Sequence, residues 1–144
     1  MAQKTAQELS DAAASKSLTA DQFAQHLEDL GSAIQGDLDQ IHRQTALELF
    51  RRIVEKTPVD TGLARANWQL SDQLNSKVLE LGPPQEPDLD GITAAQGLWL
   101  FNNLSYIDQV EAGNSGSAGA GAVAVSLEET KHWLEKELKK MGYL

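Results

Sequence analysis

The strongest constraint on this chain is one apolar stripe. Phe23, Leu27, Leu30, Ile34, Leu38 and Ile41 step by three and four; Leu47, Leu49, Phe50, Ile53 and Val54 then broaden the pattern. At helical periodicity that spacing turns one face toward a core. Residues 19 to 56 are therefore predicted as one long amphipathic helix. Thr19 suits the N-cap, with Asp21 in the first turn and Gln22 at the capping-box position. Pro58 stops the helix, because it has no N–H and restricts Thr57 to extended geometry. Gly31 and Gly36 lie inside the stripe, each costing ~1 kcal/mol against Ala. They mark either a break or a close helix crossing.

Such a helix needs something to cover, and the rest of the chain supplies short strands. Thr57-Pro58-Val59-Asp60-Thr61-Gly62 is turn chemistry. Within Leu63 to Leu70, Ala66, Trp68 and Leu70 alternate with Arg65, Asn67 and Gln69, the pattern of a half-buried strand. Val78 to Leu81 is expected as a second strand and Leu98 to Phe101 as a third. Between them, Pro83, Pro84 and Pro87 make an irregular loop. A short helix is expected around Ser105 to Ala112, capped by Gly113. The small-residue loop from Asn114 to Gly121 leads into a closing helix that runs to about Met141. Ser126 with Glu129 forms a possible capping box there, so that helix starts at 126 or upstream. Glu135 and Lys139 are spaced as a favourable i,i+4 pair. The expected fold class is α+β: a long N-terminal and a C-terminal helix packed on a small antiparallel sheet. Residues 1 to 18 are expected as a flexible arm, with Leu9 its main large apolar residue up to Ser17, and 19 to 144 as a single domain.

Length and charge narrow the functional classes. A chain of 144 residues suits one domain. No apolar run approaches the ~20 residues of a membrane span. Met1 to Ser17 lacks the apolar centre of a secretory signal. The absence of Cys excludes disulfides, thiolate metal sites and a cysteine nucleophile. The balance of 12 basic to 21 acidic residues, net −9, is a poor match to a phosphate backbone. Arg51, Arg52, Lys136, Lys139 and Lys140 sit among carboxylates and read as solvated helix faces.

Asp60-Thr61-Gly62 matches the signature tripeptide of aspartic proteases. That chemistry needs two aspartates sharing a proton, hence a dimer of a chain with one motif. It also needs a β-rich setting, whereas a long helix and Pro58 come before the motif here. The simpler reading is a turn in which Asp60 caps a backbone N–H or pairs with Arg65. His26 and His42 are about 24 Å apart along one helix at 1.5 Å per residue, too far to share an ion. Together with His132 they read as helix-surface residues, so no metal or cofactor is implied. The Gly-rich loop lacks the Gly-Lys-Ser/Thr ending of a phosphate cradle. Trp68 and Trp99 are expected in the core; Trp133 is placed equally by core and interface readings.

The order of these pieces resembles a known family. Arg51 to Trp68 (RRIVEKTPVDTGLARANW) is similar to a hallmark of the minor tail and neck proteins of tailed bacteriophages. There, a long helix runs into Thr-Pro-Val-Asp-Thr-Gly and then a strand with Leu, Arg and Trp. Phe101 to Gly113 (FNNLSYIDQVEAG) resembles the second hallmark, an Asn followed by a Tyr-initiated helix ending in Glu and Gly. A small-residue loop into a C-terminal helix is the third. The likeness covers about residues 40 to 141. Two details depart from the family: Gly62-Leu63-Ala64-Arg65 lacks an extra residue often found after the Gly, and the loop after Gly113 lacks a frequent Pro. The resemblance implies a structural protein rather than an enzyme, used in tail completion or head–tail joining. It implies a homo-oligomeric ring, a hexamer or a dodecamer, between the connector or adaptor and the tail terminator or tail tube. It also implies a virion location after assembly in the bacterial cytoplasm, with DNA passing without specific binding and no membrane. Pro58, Asp60, Thr61, Gly62 and Arg65 would be architectural. Tyr106, Glu111, Gly113, Asn114, Ser115, Gly116 and Trp133 would be interface candidates, with Tyr106 and Glu111 alternatively anchoring the short helix. A hydrolase built on Asp60 and a small adaptor for one bacterial partner are the competing expectations.

Overall fold

The computed structural model describes residues 5–14, 18–59, 62–112 and 121–144. Its longest element, α2 (Ala20–Lys56), starts and stops where local chemistry dictates. Thr19 Oγ1 accepts from the Gln22 amide at 3.2 Å, and Gln22 Oε1 accepts from the Thr19 amide at 3.0 Å, so the capping box closes. At the far end Thr57 is extended (φ −68°, ψ 128°) ahead of Pro58. The helix continues through Gly31 and Gly36, and a Cβ added at either would meet nothing within 4 Å among the described residues. They mark neither a break nor a crossing.

Two helices pack on α2. The closing helix, α5 (Ala122–Lys140), runs antiparallel to it. Near the C-terminus of α2, Glu129 accepts from Arg52 at 2.9 Å and pairs with Lys56 at 2.7 Å. Toward the other end, Tyr143 Oη donates to Asp37 at 2.6 Å. Ser126 and Thr130 are the buried residues of α5, small enough to let the helices approach closely. The N-terminal stretch expected as an arm contains a helix, α1 (Ala6–Ala14), which packs on α2 and buries Ala6.

The sheet has two antiparallel strands, β1 (Trp68–Ser71) and β2 (Trp99–Asn102), with Trp68 opposite Asn102 and Leu70 opposite Leu100. Trp68 and Leu70 point toward α2 and join Phe50, Ile53, Leu89 and Ile92 in the core. The α+β class is therefore as expected, but three local assignments change. Leu63–Ala66 is a helical turn, α3, entered through Gly62 at φ +79°, a left-handed conformation that suits glycine. Val78 to Leu81 is not a strand. It is held by side-chain amides: Asn67 bonds both the N–H (2.6 Å) and C=O (3.0 Å) of Leu79, and Asn103 donates to the Lys77 carbonyl at 2.8 Å. Trp99 is not a core residue but 54% exposed, because β2 turns its partner side chains, not the indole, inward. The short helix, α4 (Ile107–Glu111), occupies the centre of the expected span.

Candidate functional site

A polar cluster sits where α2 ends. Thr57 is buried at 2% exposure, and its hydroxyl donates to Ile53 O at 2.7 Å while accepting from Trp68 Nε1 at 2.8 Å. Arg65, carried on α3, reaches back to the same helix end. Its Nε donates to Thr57 O at 2.8 Å and its Nη2 to Glu55 O at 2.7 Å. These carbonyls are the orphan acceptors of a helix C-terminus, and a guanidinium there also meets the negative end of the helix dipole. Asn67 is fully buried and ties Leu63 O, as well as both backbone groups of Leu79, to the start of β1. Asn102 Nδ2 donates to Ala64 O at 2.9 Å, which brings β2 into the same joint.

A second cluster joins α4 to α5. Both carboxylate oxygens of Glu111 accept from the Val123 amide, at 3.1 and 3.0 Å, and Oε1 also accepts from Ala124 at 3.3 Å. The Glu111 carbonyl accepts from Gly121 at 2.8 Å. Gly121 sits at φ +85°, and a Cβ there would come within 3.1 Å of Ala124 Cβ. Glu111 thus caps α5 from another element, placing negative charge at the positive helix end. The Ser126–Glu129 capping box does not form at the helix start, because α5 begins upstream and Ser126 is buried inside it.

A third cluster was not visible as such in the sequence. Three consecutive polar contacts from α2 hold the loop that carries the core residues Leu89 and Ile92. Asp39 accepts from the Ala94 amide at 2.8 Å, Arg43 donates to Ile92 O at 2.7 Å, and His42 Nε2 donates to Gln96 O at 3.0 Å. The Ala94 amide is the main reason the Asp39 carboxyl lies below its ordinary range, with Gln35 and the charges of Arg43 and His42 adding to it. His42 is therefore part of a latch rather than a plain surface residue. Asp39 and His42 engage different backbone groups and do not form an acid–base pair.

The expected site residues divide among these clusters. Gly62 and Arg65 belong to the first, directly after half-buried Pro58. Glu111 belongs to the second. Tyr106 precedes α4 and is 38% exposed, with no side-chain cap to that helix. Trp133 is half-buried and shares a helical face with Ser126 and Thr130, the side turned to α2. Asp60, Thr61, Gly113, Asn114, Ser115 and Gly116 lie outside the described residues. Among the described residues no three His, Asp or Glu side chains gather as a metal-binding group, and no helix is long and apolar enough to cross a membrane. Comparison with protein-family models, curated proteins and solved structures finds no match.

Proposed function

We propose that this chain is a structural protein of the phage neck, acting in tail completion and head–tail joining. The observation that carries the reading is how the two family-like segments are used. The stretch from Arg51 to Trp68 and the stretch beginning at Phe101 are far apart in sequence. They meet through the β1–β2 ladder and the Asn102–Ala64 hydrogen bond. Their polar residues Thr57, Arg65, Asn67 and Glu111 bind backbone groups of neighbouring elements. Motif residues spent on shape support a scaffold role better than a chemical one.

In this reading, copies of the chain close into a ring, a hexamer or a dodecamer, between the connector and the tail terminator or tube. Head-to-tail contacts that close produce such rings. The net charge of −9 suits a neighbour of passing DNA that does not hold it. Electron microscopy of particles assembled without the protein tests the proposal. DNA-filled heads lacking attached tails are expected; filled heads firmly joined to complete tails would overturn it.

A further inference from the structure

The segment from Lys77 to Glu80 belongs to no ladder, yet one side of its backbone is fully used. Lys77 O accepts from Asn103 Nδ2 at 2.8 Å and from Gln69 Nε2 at 3.3 Å. Asn67 bonds both backbone groups of Leu79. No peptide bond among the described residues is cis, and a trans peptide points its C=O and its N–H in opposite directions. The Val78 N–H, the Val78 C=O and the Glu80 N–H are therefore turned away from Asn67, Gln69 and Asn103. None of the three has a hydrogen-bond partner among the described residues. The side chains here are open too: Val78 is 58% exposed, and Glu80 is exposed. A donor and an acceptor on one residue, with a donor two residues on, is what one edge of a β-strand offers to another strand.

We infer that this edge pairs with the same edge of a second copy, antiparallel about a two-fold axis at Val78. In a hydrogen-bonded antiparallel pair two residues exchange both N–H···O bonds, so each must present both groups. Val78 presents both, and a two-fold axis sets its donor against the acceptor of its copy and the reverse. The edge is thus complementary to itself, as an isologous contact requires. With Val78 opposite Val78, Lys77 falls opposite Leu79 and Glu80 opposite Ser76, so no like charges face each other directly. Pro83 and Pro84 keep the edge short, which gives a weak, reversible pair. The contact is two-fold, so it stands independently of the head-to-tail ring contacts proposed above.

Sedimentation of the full chain over a concentration series tests the inference. The parent is expected to associate reversibly. V78P removes an N–H that the fold leaves unused, and should weaken association about tenfold or more, as loss of two hydrogen bonds per pair implies. V78K and V78E change an exposed side chain and set like charges across the axis. Each should weaken association about fivefold or more. An equimolar mixture of V78K and V78E should recover it, which requires residue 78 to face residue 78. Three results would overturn the inference: a parent that stays monomeric up to about 1 mM, association unchanged in V78K and V78E, or no recovery on mixing them. Association that these variants leave unchanged would lie in contacts elsewhere, and would leave the neck reading standing.

Discussion

Thr57 does through one oxygen what a longer segment would otherwise do. It ends α2 and positions the indole of Trp68, with its hydroxyl used once as donor and once as acceptor. Valine has nearly the same shape but neither function. Thr57→Val leaves the buried Trp68 N–H without its acceptor, and an orphaned buried donor costs ~1–3 kcal/mol. Urea unfolding should show a loss of about 2 kcal/mol for Thr57→Val, while Thr57→Ser, which keeps the hydroxyl, loses about 0.8 kcal/mol with its methylene-sized group. Equal losses for the two variants would remove the hydroxyl as the cause. The sequence shows that a turn follows Lys56, because Pro58 and Gly62 carry fixed conformational meanings. It does not show that Thr57 and Trp68 bond. That contact depends on α3 compressing Leu63–Ala66 into a helical turn, whereas the alternation around Trp68 suggests a longer strand.

Between elements, the bonds are made by side chains that span long sequence distances, and this is where local patterns mislead. The start of α2 is legible because Thr19 and Gln22 satisfy it within one turn. The start of α5 is not, because its cap comes from Glu111 on α4, while the nearby Ser126–Glu129 pattern is buried in or bonded from the helix body. Val78 to Leu81 has the residues of a strand but is held by Asn67 and its neighbours rather than by a ladder. Leu89 and Ile92 sit among turn residues, yet they join the core, and the Asp39–His42–Arg43 latch holds their loop on α2. The consequence for α5 is measurable. Glu111→Ala should accelerate hydrogen exchange at the Val123 and Ala124 amides and cost about 1 kcal/mol, the usual loss of a helix cap. Unchanged protection at both amides would rule out capping by Glu111.

For the whole molecule, polar contacts between distant parts of the chain set opposite pH limits. The Lys56 hydrogen bond, then that of Arg52, holds the Glu129 carboxyl below its ordinary 4.5; Asp39 lies below 3.8. Groups with depressed folded pKa values stabilise above their unfolded values, and the contribution is lost as pH falls through the folded ones. Burial, then the Asp37 carboxylate, pushes the Tyr143 phenol from 10.0 up to about 12. Its stabilisation is complete below pH 10 and disappears as pH rises toward 12. Stability profiles of Tyr143→Phe should therefore fall less steeply than the parent between those alkaline limits; parallel profiles would exclude the Tyr143–Asp37 bond as a source. The same bond fixes the end of α5 to the middle of α2, and α2 runs on beyond it. Its 37 residues span about 55 Å at 1.5 Å each, while the 19 of α5 span about 28 Å. Phe23 and Ile53 are thus about 45 Å apart along one helix. Bodies bound near Phe23 and near Thr57 would not touch each other, and the distance between them would be set by a single helix.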